Sequence, residues 1–445
     1  MADVTPMKTP AEQALSAAYE AARGTLPGKD GIATLRDGAF KQFAERGLPH
    51  RRVEEWKYTD LRALMREANP LAPAPDAKAK DRAKDAGNIL ASVDTRKLVF
   101  VDGVFAPEMS DLAPEEGSDL APEEGLTIGT LADALAKGDK LVAEHLGKTF
   151  ATDDVAVALN TALMGDGAVI EIAKGAEIKR PIHLIFATGT DKPSAVFVRS
   201  LVVVGEGAKA TIIEDHDSGD AQVNTGFELK VGDGAQVDYF KVTKARALHV
   251  ASLLAEIGAK ANFNTFAYTA DSALVRNQNF VRFAGEHSHG GIRGVSLERG
   301  KEHVDTTLLI EHAAAHCDSR EQFKAVLDDE SHGVFQGKII VKPGAQKTDA
   351  KMMTRALLLT DEAEADAKPE LEIFADDVVC GHGATTSAPD KGLKFYLMSR
   401  GITEPEAEAL LIQAFIGEVV EEIGNEAIRE ALMNAAIDWM KERST

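Results

Sequence analysis

Gly207-Ala208-Lys209-Ala210-Thr211-Ile212-Ile213-Glu214 opens a pattern that returns as Gly234-Ala235-Gln236-Val237-Asp238-Tyr239-Phe240-Lys241-Val242. It returns again, after Gly258-Ala259, as Phe263-Asn264-Thr265-Phe266-Ala267-Tyr268. Each Gly-Ala pair precedes a strand-like run with alternating character. The glycines are 27 and 24 residues apart, and Gly285 falls a further 27 along. Gly175-Ala176 and Gly344-Ala345 extend the series on either side. A repeat of this length points to stacked supersecondary units, each burying an inward row on its neighbours. Glycine supplies the backbone angles that sharp corners need. The expected fold is therefore mainly β, with a right-handed parallel β-helix core flanked by helical N-terminal and C-terminal domains. The rival is a β-sandwich, whose turn signals recur at a shorter spacing. The longer shared period favours the solenoid.

Working outward, the core is expected over residues 166–386, with helical regions at 1–165 and 387–445. Helical patterns are nearly absent from 166 to 310. Before it, Ala14, Leu15, Ala18 and Ala21 keep helical spacing, as do Phe40, Phe43 and Ala44. Arg51 to Leu61 mixes charge with Trp56 and Tyr58 and reads as a loop anchored by its rings, with a binding surface as the alternative. Residues 70–90, rich in Ala, Pro, Lys and Asp, read as a flexible linker. Leu98 to Phe105 reads as a hairpin around Asp102-Gly103. The octet Ser110 to Gly117 is copied unchanged as Ser118 to Gly125, which suits an insertion in a tolerant surface loop. Residues 128–163 read as helical, marked by Leu131, Leu135, Leu141 and Leu146. After Ala388 the chain is expected to turn helical again. Thr403-Glu404-Pro405-Glu406 fits a capping box. These last helices either seal the solenoid or present a partner surface.

The 50 basic and 71 acidic residues leave a formal net charge of -21. That argues against nucleic-acid binding and against docking on anionic lipid. Two cysteines rule out a disulfide framework, and the natural inference is a reducing compartment. The first residues lack a secretory pattern, and no apolar run reaches the length of a membrane span. A cytoplasmic location is expected.

Chemistry concentrates near the end of the chain. Cys380 and His382 are two apart, so on a strand they face the same way. A thiolate and an imidazole suit soft or borderline metals. Two ligands do not close a site, because structural zinc and iron–sulfur clusters usually take four. Any metal held there needs donors from elsewhere in the chain or from a partner. Two other groups are candidates: His287 with His289, and His312 with His316 and Cys317. A hydrogen-bonded structural role is the commoner fate of each. Gly147-Lys148-Thr149 resembles the end of a phosphate loop, but Val142 stands where that motif needs glycine. The chain is therefore not expected to hydrolyse ATP, and no catalytic residue is assigned.

Residues from about Val304 to Phe415 resemble the SufD family of the Suf iron–sulfur cluster assembly machinery. The resemblance rests on His312, Cys317-Asp318-Ser319, Phe335-Gln336-Gly337-Lys338-Ile339 and Ala345-Gln346-Lys347-Thr348-Asp349-Ala350. It continues through Leu357-Leu358-Leu359, Pro369-Glu370-Leu371-Glu372-Ile373, Ala375-Asp376-Asp377-Val378 and His382-Gly383-Ala384-Thr385, and ends at Phe395 to Ile402. Trp56-Lys57-Tyr58-Thr59 is a weaker match. The resemblance implies a non-catalytic scaffold that pairs with the paralogue SufB and docks the SufC ATPase on its C-terminal helices. A transient iron–sulfur cluster would be shared with SufB, with His382 as a metal ligand opposite a SufB cysteine. Cys380 would be an auxiliary ligand or a structural thiol. A flavin in the complex and a homodimer in isolation stay open.

A SufB-type chain would carry a Cys-Asp before its leucine run and Glu after the motif histidine. Lys351 to Leu359 has no cysteine, and Gly383 follows His382. Thr386-Ser387 stands where Val-Gly is usual, a departure at the exit turn. The alternative from another class is a β-helix carbohydrate-active enzyme. It would need converging carboxylates. Asp376 and Asp377 are adjacent, so on a strand they point to opposite faces.

Overall fold

The alternating runs form two parallel sheets in a computed structural model, which describes residues 8–111 and 123–443. Most of the duplicated octet lies outside the described residues. One sheet stacks Lys209–Ser218, Gln236–Ala245, Asn262–Ala270, His289–Glu298, Asp318–Leu327, Asp349–Leu358 and Val379–Ser387. The other stacks Ala195–Val204, Gln222–Val231, Leu248–Ile257, Leu274–Phe283, His303–His312, His332–Val341 and Glu364–Ile373. Successive strands alternate between the sheets, giving a β-solenoid of about eight turns. Among the described residues the sheets hold ten and nine strands, because earlier strands extend both. Arg96–Val101 joins the first in parallel beside Ile182–Ala187. It also makes the expected hairpin with Val104–Phe105, whose turn residues Asp102 and Gly103 have φ of 50° and 79°.

Register explains the uneven spacing of the glycines. One coil adds 26 residues from Gln236 to Asn262 and another adds 31 from Asp318 to Asp349. A single corner position recurs in every coil, tied by backbone hydrogen bonds: Gly207 N–H to Asp233, Gly234 to Ala259, Lys260 to Glu286, His287 to Ala315, His316 to Gln346 and Lys347 to Asp377. All six residues have positive φ. Glycine fills the corner only in the early coils. Gly258 and Gly285 sit two residues before it and are small for another reason. A Cβ at Gly285 would lie 2.0 Å from the Ala259 nitrogen of the preceding coil.

Gly207 isolates the conformational cost of the corner. Its φ is +67° and a Cβ there would meet nothing within 4 Å. Gly207→Ala is therefore expected to lose about 1 kcal/mol in urea unfolding from backbone strain alone. An unchanged midpoint would mean the corner has no such demand.

Inside, residues such as Ile212, Leu229, Val237, Ile257, Phe263 and Ile310 form a continuous core. The outer faces are covered from the two ends of the chain. The helices Pro10–Ala22 and Val155–Leu163, with Trp56 and Leu61, cover the outer face of the nine-stranded sheet at Phe197, Leu248 and Val250. The helices Glu404–Val420 and Glu426–Arg443 cover the other sheet at Phe240, Phe266, Tyr268 and Val295. The expected capping box at Thr403 and Glu406 is present.

Two local expectations give way. Residues 70–90 contain the helix Ala77–Arg82, whose N-cap Asp76 accepts from the Ala79 amide. Ala79 and Ala83 bury against Val101 and Ile185, so the stretch is docked rather than a free linker. The supposed helix from 128 begins as the strand Leu126–Thr130, paired antiparallel with Ala168–Ile172.

Candidate functional site

Among the described residues Val379–Ser387 ends its sheet, paired with Asp349–Leu358. Cys380 lies opposite Ala350 and His382 opposite Met352. Ala350 and Met352 are buried in the solenoid interior, at 0% and 2% exposure. The period of two then places Cys380 and His382 on that same inward side, as their spacing predicted. Among the described residues no further coil lies over them, so the inward side here faces the end of the stack. Cys380 is half-buried against the core and His382 is exposed.

Burial pushes the Cys380 thiol above its usual range, and the carboxyls of Asp349 and Glu321 add to the effect. The free chain therefore holds this sulfur as a thiol. Metal binding there must release a proton, which makes it favoured by rising pH. Among the described residues no group of three or more His, Cys, Asp or Glu converges. Around the pair, Ile373, Phe374 and Val379 are exposed apolar side chains on the last coil.

One neighbour escaped the sequence reading. Met352 is in register with Glu321, so His382, Met352 and Glu321 form one inward column. Glu321 is fully buried with neither carboxyl oxygen hydrogen-bonded, and burial raises its pKa to about 7. The coil lengths that bring 321, 352 and 382 together carry no mark in the local sequence.

The other candidate ligands are dispersed. His287 and His316 occupy the corner and stack face to face, with ring centroids 4.7 Å apart. His289 pairs with Asp318 at the start of the adjoining strands. His312 is buried, stacked on Phe283, with Nε2 3.0 Å from the Ser319 hydroxyl. Cys317 is also buried, and its thiol donates to the Gly285 carbonyl at 3.2 Å. Neither group forms a ligand set.

Gly147-Lys148-Thr149 does wrap an anion, but one supplied by the protein. The Gly147 amide donates to Glu228 Oε1 at 2.8 Å, and the Thr149 hydroxyl donates to Oε2 at 2.9 Å. Of the acidic pair, Asp377 is bound by Lys347 at the corner.

Comparison with known families and proteins adds an independent line. The description "SUF system FeS cluster assembly, SufBD core domain" matches residues 186–415, and "SufBD protein N-terminal region" matches residues 10–184. The iron-sulfur cluster assembly protein SufD of Escherichia coli is 31% identical over 405 residues, covering 88% of this chain and 90% of that protein. An iron-sulfur cluster assembly SufBD family protein of Synechocystis is 30% identical over 406 residues, covering 88% and 87%. SufD of Bacillus subtilis is 28% identical over 284 residues, covering 62% and 65%.

Proposed function

The chain belongs to the SufBD family of iron–sulfur cluster assembly proteins and is SufD-like, and from that membership we propose that it is a non-catalytic scaffold subunit on which a nascent cluster forms against a SufB-type partner. The observation that carries this reading is the open last coil. It has two strand edges that no described strand pairs, a rim of exposed Ile373, Phe374 and Val379, and a thiol and an imidazole on one face. Exposed edges and apolar patches are costly in a free protein and suit a permanent partner. A paralogue docked there would cover the rim and bring the missing donors. His382 is the ligand, and Cys380 joins it once deprotonated. The cluster is cargo, handed on after assembly. In isolation the same edge suits a second copy of the chain.

The helix Lys391–Ser399 suits the docking of a SufC-type ATPase. Leu393, Phe395, Tyr396 and Met398 are exposed on it, and none of its residues is buried. The following two helices cover the solenoid, so deleting the whole C-terminal region would bare core residues. Phe395→Ser is the cleaner test. It is expected to abolish co-purification of the ATPase while the fold and the paralogue are retained, and retained ATPase would move the docking surface elsewhere. Among the described residues no helix is long and apolar enough to cross a membrane. A cytoplasmic location fits this role.

The decisive experiment is anaerobic reconstitution of the complex with His382→Ala, measuring iron and acid-labile sulfide. Complex assembly should persist and cluster yield should fall to background. An undiminished yield would remove His382 as a ligand.

A further inference from the structure

His303 and His332 begin neighbouring strands and are register partners on the outer side of the nine-stranded sheet. Their Nδ1 atoms lie 3.2 Å apart, with the ring planes at 66°. The hydrogens around them can be counted. The Thr59 hydroxyl donates to Asp305 Oδ2 at 2.5 Å, so its only proton is committed. It must then accept from His303 Nε2 at 2.9 Å. His332 Nε2 lies 2.9 Å from Asp366 Oδ2, which as a carboxylate only accepts. Both neutral rings thus carry their proton on Nε2, and both Nδ1 atoms turn a lone pair toward the other.

Two facing lone pairs at this distance repel unless a cation lies between them. A proton on one Nδ1 is one such cation, and 3.2 Å stands at the long end of hydrogen-bonded separations. A tetrahedral metal with nitrogen ligands at about 2.0–2.1 Å sets them about 3.3–3.4 Å apart, close to the spacing here. An Nε2 held by a carboxylate, directly or through a hydroxyl, is also the usual backing of a ligating histidine. The charged surroundings agree: Asp305 and Asp366 outweigh the single Arg276, whose Nη1 is 2.5 Å from Asp305.

We propose that His303 and His332 form a two-imidazole site for a divalent first-row transition metal of zinc-like preference. The His332 and Asp366 side chains are 26% and 42% exposed, so water can complete the coordination. Thr59 belongs to the segment 54–61 around Trp56, here called the arm, and the histidines to the late coils. The metal would therefore clasp the arm to the solenoid, at a place separate from Cys380 and His382.

The test is Zn2+ titration calorimetry on the full chain in a Cys380→Ser/His382→Ala background, which silences the proposed cluster ligands, with the His303 and His332 variants separating this site from the remaining histidines. One equivalent should bind. His332→Gln and His303→Gln should abolish it, and Asp366→Asn should weaken it roughly tenfold. The Co2+ adduct should show nitrogen–oxygen ligand-field bands without a thiolate charge-transfer band. Bound Zn2+ should also slow proteolysis of the arm in the parent and not in the histidine variants. If His303→Gln, whose ring also holds Thr59, fails to fold, His332→Gln decides alone. Absence of binding at micromolar Zn2+, or binding undiminished in His332→Gln, overturns the proposal. Neither result bears on cluster yield at His382, so the two readings fail separately.

Discussion

Glu298→Gln is expected to leave stability unchanged near pH 4 and to raise it progressively as the pH climbs to about 8. The Glu298 side chain has no exposure, accepts from the Ser296 hydroxyl at 2.7 Å and leaves Oε2 without a partner. Burial pushes its pKa from 4.5 up to about 8, and the nearby Glu302 adds to the shift. Between those values the native protein holds a proton that the unfolded chain has released. Unfolding free energy must then fall as pH rises, by about 1.4 kcal/mol per unit for one group. The glutamine variant lacks that slope. The gap between variant and parent should therefore widen to several kcal/mol and level off above the folded pKa. Glu321, with a pKa of about 7, imposes a similar decline on both proteins and cancels in the difference. Urea unfolding of both proteins across this pH range gives the gap directly. A gap independent of pH would mean that Glu298 ionises normally in the fold.

Glu228→Ala is the complementary case, a buried charge whose removal strands its partners. Arg199 is 2% exposed and donates to Glu228 Oε1 through Nε at 3.0 Å and Nη2 at 2.7 Å. Gly147 and Thr149 donate to the same carboxylate. Truncation leaves a guanidinium in the interior beside the Asn160 amide oxygen, and strands the Gly147 and Thr149 donors. Breaking a buried pair from one side costs about 3–5 kcal/mol. The loop of 147–149 should also loosen, since its anchor to the solenoid is gone. Denaturant unfolding reads the first effect, and hydrogen exchange at Gly147 and Thr149 reads the second. A loss below 1 kcal/mol would mean that water already reaches the pair.

The solenoid was legible because its period survives in the sequence, though only as an approximation. Gly207 and Gly234 mark the true corner, whereas Gly258 and Gly285 mark a close backbone approach two residues earlier. Reading all four as one feature gave nearly the right repeat and the wrong register. Lys260, His287, His316 and Lys347 turn the later corners, where lysine gives no signal of a left-handed backbone and histidine far less than glycine. The common face of Cys380 and His382 was legible because it needs only the period of a strand. Glu321 beneath them was not, because its place depends on summing two coils of different length. The same holds for His303 and His332, which adjoin only once the coil between them is closed. The stretch 70–90 misled for a simpler reason. Alanine, lysine and aspartate suit a short helix as well as a linker, and burial of Ala79 and Ala83 decides between them.

The arm around Trp56 reaches far along the chain. Glu54 binds Lys368, Trp56 lies under Arg276 at 3.9 Å, and the Glu55 carbonyl accepts from Arg276 and from Gln336. A ribosome releases residue 54 hundreds of positions before residue 368. The arm can settle on Phe197, Leu248 and Val250 as those coils emerge, but its ties to Gln336 and Lys368 must wait for the late coils. A prematurely terminated product lacking the late coils should therefore keep the arm docked yet lose it to proteases faster than the full chain does.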